Sequence, residues 1–325
     1  MIKKIFSSAI FLAISFFFNA VFAQNNTRKP LQTIIIDPGH GGMDPGATGT
    51  FSKEAQVSLE VSLKLGKAIE KEFPDMKIIY TRTEDVLPGN KTSIEDGLFY
   101  RADLANESHG DLFIAIHCNS AGRAPGGWYG RRISGYTTAT KKVKVKKKTV
   151  VKTYKVPIYE NYWIENNAVG TETYVWAVSK NDAKIKSVSK NNDYTGEIDS
   201  TSNISLPDPS DPAEKARMLI YAQNFFRKSL SLADLVQQEF SQTGRVDRGV
   251  KQRNDKGIWV LQATGMPSVL VEIGFISNKE EEQYINSEKG QDEIVANIFN
   301  AIKKYKEKLE AKKNVADKDA EKKPF

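Results

Sequence analysis

Apolar residues along this chain form two kinds of pattern, short continuous runs and longer stretches with helical spacing. Continuous runs at 34–36, 112–116 and 269–273 are typical of strands in a parallel sheet, because both faces of such a sheet are covered. The pattern predicts strands at 34–36, 77–81, 112–116, 170–178, 257–261 and 269–273. It predicts helices at 54–73, 99–107, 213–240 and 291–309.

The first residues have the layout of a secretory signal. Lys3 and Lys4 precede an apolar run that ends in small residues at Ala23, so residues 1–23 are predicted to be a signal peptide that directs export to the periplasm or cell envelope. A membrane anchor is the alternative, since the run is nearly long enough to span a bilayer. Residue 24 is Gln rather than Cys, which argues against a lipid-modified N-terminus.

The order of the predicted elements sets the fold class. Strands that alternate with helices predict an α/β fold with a parallel or mostly parallel sheet and helices on both of its faces. Removal of 23 of the 325 residues leaves 302, enough for one large domain or two small ones. The charged tail at 311–325 has few large apolar residues and is predicted to be disordered.

Charge and cysteine content narrow the classes of function. Cys118 is the only cysteine, so the exported chain forms no internal disulfide. The net charge of +7 includes ten Lys or Arg residues, and no acid, between Arg131 and Lys155. The basic excess is therefore local, and export excludes a nucleic-acid partner.

Two of the three histidines follow buried-type strands. His40 comes after the first apolar run, in a turn rich in glycine, and His117 directly follows the third predicted strand. Parallel strands end at a common sheet edge, where α/β folds bind ligands, and Glu54 lies only 14 residues beyond His40. Two histidines and a carboxylate are a common ligand set for catalytic zinc. Each histidine alone also fits an ordinary turn residue, and His109 is predicted to be a surface residue.

Three further residues near these strand ends have their own predictions. Glu272 lies in an apolar strand, where a carboxylate is costly unless it is paired or functional. Cys118 should point to the sheet face opposite His117 and pack in the core. Asp37 either orients a metal ligand or caps the turn. The chain has no His-Glu-x-x-His helix, which excludes the usual metalloprotease arrangement.

An ordered set of motifs resembles a known family. The motifs are DPGHGG, the KE pair at 53–54, YTR, R-x-x-x-AN at 101–106, DLFIAIHCNS, GTETYV and PSVLVEIGFISNKEEE. Together they resemble the zinc-dependent N-acetylmuramoyl-L-alanine amidases, cell-wall hydrolases with the amidase-3 type of catalytic domain. The resemblance implies a single domain with a twisted sheet of about six strands. It also implies one Zn²⁺ per chain held by His40, Glu54 and His117, with Glu272 as the catalytic residue.

The same resemblance implies a function. These enzymes hydrolyse the amide bond between N-acetylmuramic acid and the L-alanine of the peptidoglycan stem peptide, and several act in daughter-cell separation. Glu272 would take a proton from the attacking water and pass it to the departing amine. Two alternatives stay open: another zinc peptidase or deacetylase acting on a different wall bond, and a wall-binding relative without catalysis.

Two long segments depart from the family pattern within a catalytic domain expected at 24–310. The insertion at about 121–170 alternates Lys and Val from Lys141, which predicts a two-stranded ribbon with one charged face. Such a ribbon would contact an anionic wall or membrane surface, or be a plain solvated excursion. The polar segment at about 179–212 is predicted either to cover the metal until substrate or a protein activator displaces it, or to be a mobile loop.

Overall fold

The apolar runs predicted as strands lie side by side at the centre of one sheet. The computed structural model describes residues 30–146, 148–177, 184, 212–255 and 257–321. The strands among these residues are β1 (Thr33–Pro38), β2 (Lys77–Tyr80), β3 (Leu112–Asn119), β4 (Gly127–Val145), β5 (Lys148–Glu165), β6 (Thr171–Val175), β7 (Asp247–Gln252) and β8 (Ser268–Phe275). Six of them form a sheet in the order β2-β1-β3-β8-β6-β7, and every neighbouring pair is parallel except β8 and β6. The predicted mostly parallel sheet is confirmed.

Helices cover both faces of this sheet. Those within the described residues are α1 (Glu54–Glu72), α2 (Ile94–Glu107), α3 (Pro212–Gln242), α4 (Trp259–Ala263), α5 (Lys279–Asn286) and α6 (Glu288–Glu321). Apolar residues of α1, α3 and α6 form one core with the first face of the sheet, and those of α2 and α4 form a second core with the opposite face. The predicted α/β class, with helices on both faces, is therefore confirmed.

Strand β1 shows why its apolar run has no polar interruption. Ile34 and Ile36 point into the first core, and Ile35 points into the second, where it packs with Phe113. All three isoleucines are fully buried. Each such side chain contributes roughly 1.5–3 kcal/mol through burial, so a strand at the sheet centre needs apolar residues at every position.

Several predicted boundaries were wrong. The stretch 257–261, predicted as a strand, leads into the short helix α4, and the sixth strand is β7, whose sequence DRGVKQ is mostly polar because it lies at the sheet edge. Helix α2 begins at Ile94, not at 99, because the Ser93 hydroxyl accepts a hydrogen bond from the Asp96 N–H and caps it.

The ends of the chain also differ from the prediction or lie outside the described residues. Helix α6 continues to Glu321, so the tail predicted to be disordered from 311 is helical that far. The predicted signal at 1–23 lies outside the described residues, as does the polar segment at 179–212 except for Lys184 and Pro212. The residues from Leu31 onward form one compact unit.

The predicted ribbon exists but is longer than expected. Strands β4 and β5 pair with each other in antiparallel register from Gly127 and Glu165 out to Val145 and Lys148. The prediction of a single charged face was wrong. Adjacent residues of a strand point to opposite faces, so Lys141 and Lys142 lie on opposite sides of the ribbon.

Candidate active site

His40, Glu54 and His117 come together at the carboxyl end of the central strands. Glu54 lies between the two imidazoles: its Oε2 is 3.1 Å from His40 Nε2, and its Oε1 is 2.8 Å from His117 Nδ1. One ligand atom from each residue lies within 4.8 Å of the other two. The Glu54 carboxylate is buried, whereas both histidines are partly exposed. The three residues singled out from the sequence thus converge on one point.

Close packing explains the glycines around His40. His40 has a φ of 59°, and Gly41 and Gly42 also have positive φ angles. This left-handed backbone makes the chain turn sharply just after β1. A Cβ at Gly39 would lie 2.5 Å from His117 Cε1, and a Cβ at Gly46 would lie 2.6 Å from Glu54 Oε2. Side chains at these two positions would therefore displace the imidazole or the carboxylate.

Two buried arginines hold the loop that carries His40. Arg101 Nη2 donates to the His40 carbonyl at 2.7 Å, and Arg101 Nη1 pairs with the Asp37 carboxylate. Arg82 Nη2 donates to the carbonyls of Gly39 and Ala55, at 2.7 and 2.6 Å. These are the arginines of the YTR and R-x-x-x-AN motifs, and they tie β1 to the start of α1.

Asp37 matches neither role proposed for it. It is fully buried, and its Oδ1 accepts hydrogen bonds from Thr81 and Arg101. Asp44 instead contacts the His40 side chain, with its Oδ2 2.8 Å from Nδ1. Sequence reasoning missed Asp44, although its position four residues after His40, beyond a tight glycine turn, was a signal that the loop could fold back.

The loop before α1 is held by a third group, the Glu282 carboxylate of α5. It accepts hydrogen bonds from the backbone N–H groups of Thr50, Phe51 and Ser52, at 2.7–2.9 Å. It also accepts from the hydroxyls of Thr50 and Ser52. These bonds lower the pKa of Glu282 against the opposing effect of burial. Glu282 therefore fixes the chain two residues before Glu54.

The charges of the cluster determine its protonation. Burial disfavours the charged imidazole of His40, but hydrogen bonds and charges from Glu54 and Asp44 outweigh burial and raise the pKa of His40 to about 9. Burial would raise the pKa of Glu54, yet the hydrogen bonds of His117 and His40 hold it far below its usual value. Without a metal, the cluster therefore holds an ionised carboxylate beside a protonated His40.

Glu272 lies on β8, directly across from His117 on β3. Its side chain is buried, and its Oε2 has no hydrogen-bond partner among the described residues. Burial, together with the charges of Glu54 and Glu172, raises the pKa of Glu272 to about 8. A buried carboxylate with an unpaired oxygen is unusual, and among the described residues Asp37 is the other one.

Glu172 is a second buried carboxylate, which sequence reasoning did not single out. It lies opposite Glu272 in the β6–β8 pairing. Its Oε1 pairs with Arg248 Nε at 2.7 Å and Lys251 Nζ at 2.6 Å, and its Oε2 accepts from Asn119 and Tyr174. Glu172 is therefore fully paired, whereas Glu272 Oε2 has no partner among the described residues.

These groups open into a cavity of about 470 Å³. One side carries the His40, Glu54 and His117 cluster with Glu272, and Arg253 supplies a cation. The lining also includes six apolar side chains, Ile94, Leu98, Ile258, Trp259, Val260 and Leu270. The volume and the mixture of apolar wall and convergent polar groups are typical of small-molecule sites.

Two remaining predictions are confirmed. Cys118 is buried in the first core, on the sheet face opposite His117, and His109 is exposed away from the cavity. Within the described residues, no helix combines the length and the apolar character needed to cross a membrane.

Comparison with known proteins agrees with the motifs. Residues 34–304 match the family described as N-acetylmuramoyl-L-alanine amidase. The N-acetylmuramoyl-L-alanine amidase AmiC of Escherichia coli O6:H1 is 28% identical over 280 residues, which are 84% of this chain and 52% of that protein. A putative N-acetylmuramoyl-L-alanine amidase of Buchnera aphidicola subsp. Baizongia pistaciae is 26% identical over 275 residues, 84% of this chain and 95% of that one. The chain thus spans about half the length of the first of these relatives.

A solved structure shares the fold. The CwlD amidase from Clostridioides difficile, determined in complex with the GerS lipoprotein, superposes with a TM-score of 0.51 at 23% identity, covering 85% of this chain and 98% of that one. The segment that matches the family, 34–304, includes every residue of the cluster and the whole described sheet except Thr33. This chain belongs to the N-acetylmuramoyl-L-alanine amidase family.

Proposed function

We propose that this protein is a zinc hydrolase that cleaves the amide bond between N-acetylmuramic acid and the L-alanine of the peptidoglycan stem peptide. The observation that carries the proposal is the buried Glu272, which has an unpaired Oε2 and lines the same cavity as the His40, Glu54 and His117 cluster. Family membership supports the choice of bond.

The donor set fits zinc. Two imidazole nitrogens and one carboxylate oxygen are ligands that zinc binds, and three protein ligands leave a fourth position for substrate or water. His40 Nε2 and His117 Nδ1 both face Glu54, while Asp44 holds the other nitrogen of the His40 ring. A carboxylate behind a ligating histidine fixes the orientation and tautomer of its ring. Zinc, when bound, polarises a carbonyl and lowers the pKa of water toward ~7.

Glu272 then performs the proton transfers. In its ionised form, its carboxylate takes a proton from the attacking water and delivers it to the nitrogen of the departing L-alanine, where a neutral amine must leave. Leu270, Ile258 and the other apolar lining residues limit water in the cavity.

Product analysis on purified muropeptides tests the proposed bond. The expected products are a free peptide that begins with L-alanine and an intact sugar that keeps its lactyl group. Release of acetate, or of a peptide cut at another position, would instead identify a deacetylase or a different peptidase. Absence of any product from the zinc-loaded protein would favour a wall-binding relative without catalysis.

Zinc binding is expected to displace a proton from His40. Since the pKa of His40 is raised to about 9, this imidazole is protonated at neutral pH in the metal-free protein and must lose its proton to bind zinc. The apparent zinc affinity should therefore rise by about tenfold per pH unit up to roughly pH 9 and then level off. Chelator competition between pH 6 and pH 10 measures this.

The matched variant for this measurement is Asp44→Asn. Asp44 raises the pKa of His40 through a hydrogen bond and its charge, so its removal should move the levelling-off point to lower pH. A zinc affinity that is independent of pH below 8 would contradict the assignment of His40 as a ligand.

We also propose that the basic ribbon contacts an anionic wall or membrane surface. Replacing 141–152 by Asn-Gly joins Thr140 and Thr153, which face each other, through a two-residue hairpin turn. The shortened protein should fold and keep its zinc, because the removed residues contribute nothing to either core. Its sedimentation with sacculi or anionic vesicles should weaken and lose salt sensitivity. Unchanged sedimentation at low salt would contradict this contact and would favour the alternative that the ribbon is a plain solvated excursion.

The remaining proposals concern the cellular setting. Residues 1–23 would export the protein to the periplasm or cell envelope, where a catalytic domain at 24–310 acts on peptidoglycan during wall remodelling or daughter-cell separation. We also propose that a protein activator displaces the polar segment from the metal. Replacing 181–208 by a short Gly/Ser linker should then raise kcat/KM on a small muropeptide, and an unchanged kcat/KM would contradict the proposal.

A further inference from the structure

The half of the ribbon nearest the sheet has one face rich in exposed aromatic rings. In the β4–β5 register, Tyr129 lies opposite Trp163, Arg131 opposite Asn161, and Ile133 opposite Tyr159. After a bulge, Tyr136 continues the same side. We call the side that carries these residues the aromatic face. Tyr129 and Tyr136 are among the most exposed large side chains described, at 72% and 62%.

Polar planar groups alternate with these rings. Arg131 stacks 3.7 Å from the centre of the Tyr159 ring, and Tyr129 and Trp163 meet edge to face at 5.1 Å. Asn161 lies between Trp163 and Tyr159 on the same face of β5. Glu160 points to the opposite side, where it pairs with Arg132. The aromatic face therefore offers ring surfaces and hydrogen-bonding groups, and its acid, Glu165, lies at the base of the ribbon opposite Gly127.

Exposed rings in such number indicate a ligand. A solvated excursion would carry polar residues, and contiguous exposed aromatic surface on a soluble protein marks a binding site. The rings are mostly tyrosine, with Arg and Asn between them, so the face is unsuited to burial in hydrocarbon. Pyranose sugars match it, because they present flat C–H surfaces to aromatic rings and hydroxyl or acetamido groups to the planar polar side chains.

The position of the aromatic face points to one source of sugar. Its first pair, Tyr129 and Trp163, is the third pair from the base of the ribbon. That base is held to the turn that follows β8, the strand that carries Glu272, since the Gly126 N–H donates to the Ser277 carbonyl and Asn278 Nδ2 donates to the Asn166 carbonyl. Ser120, six residues before Gly126, lines the cavity itself. The ribbon therefore leaves the sheet beside β3 and β8, two of the strands that carry cavity-lining residues.

We propose that the aromatic face binds the glycan strand of peptidoglycan and holds it beside the catalytic cavity, an inference that rests on the proposed function. From Tyr129 to Tyr136 the face extends roughly 20 Å along the strand, long enough for several sugar rings. This contact is distinct from the charge-based contact proposed for residues 141–152 at the far end of the ribbon, because it uses ring stacking on uncharged sugars.

Binding of chitohexaose, a neutral β-1,4-linked N-acetylglucosamine hexamer, tests the inference by calorimetry on the mature, zinc-loaded chain. The test variant is Tyr129→Ala with Tyr136→Ala. The matched control is Tyr154→Ala with Tyr162→Ala, which removes two exposed tyrosines from the opposite side of the same ribbon. The test variant should raise Kd by about tenfold or more, since each ring contact contributes roughly a factor of three to ten. The control should bind within about twofold of the parent chain, and salt should change neither value.

Three results would overturn the inference. The first is no binding by the parent chain, and the second is an equal loss of binding in both variants. The third is unchanged chitohexaose binding while the test variant alone loses affinity for phosphatidylglycerol vesicles, which would assign the face to a membrane. Muropeptide hydrolysis by both variants provides the check on folding. Because chitohexaose has no stem peptide, its binding tests the aromatic face independently of the proposed amidase activity.

Discussion

Replacing either His40 or His117 with Ala is expected to remove both zinc and hydrolysis. Each substitution deletes one of the two nitrogen donors that face Glu54, and the two ligands that remain are too few to hold a catalytic zinc ion. The parent protein should contain about one zinc per chain, because the cluster provides three ligands for a single ion. Metal analysis after dialysis, together with muropeptide turnover, measures both effects.

The matched control for this prediction is His109→Ala. His109 is the third histidine of the chain and is exposed away from the cavity, so zinc content and turnover should stay at the parent level. Full zinc occupancy in both the His40 and His117 variants would refute the proposed ligand set. A loss in the control as well would indicate a general effect on folding.

Glu272→Gln is expected to separate metal binding from chemistry. Glutamine keeps the shape of the side chain but cannot accept a proton, so zinc should remain while hydrolysis falls by roughly 10²-fold or more. The amide fits this position without a charge, because β8 is buried along its whole length and the carboxylate has an unpaired oxygen there. The variant should therefore fold at least as well as the parent protein.

Glu70→Gln is the control for Glu272→Gln, since it makes the same chemical change at an exposed position of α1. It should leave turnover unchanged. Near-normal hydrolysis by the Glu272 variant would move the proton-transfer role to another group, whereas loss of zinc from it would mean that Glu272 belongs to the metal site.

The central strands and the main site residues were predictable from the sequence. An uninterrupted apolar run predicts a strand that is buried on both faces of a sheet, and β1, β3 and β8 each contribute residues to both cores. His40 follows β1 and His117 lies near the carboxyl end of β3, so parallel pairing alone brings them to one edge of the sheet. Glu272 was identifiable because a carboxylate in such a strand has few structural explanations.

The β7 edge of the sheet was not predictable in the same way, whereas β2, at the other edge, was predicted at 77–81. Strand β7 is polar and half-exposed, so its side chains carry no periodic signal, and only its pairing with β6 makes it a strand. Helix α4 was mistaken for a strand because a five-residue apolar segment has no distinguishable period. The faces of the ribbon depend on the bulge between Ile133 and Gly135, which the sequence does not reveal.

The sequence by itself determined which segments form the central strands and which four residues are proposed for chemistry. Buried parallel strands require apolar residues, so the histidines and carboxylates in or just beyond these strands stand out. The tertiary structure alone decided which groups support them. Asp44 reaches His40 only because the loop folds back, and Glu282 holds the chain before Glu54 from a distance of more than 200 residues along the sequence. Contacts of this kind depend on distances in space, and local patterns of residues do not encode such distances.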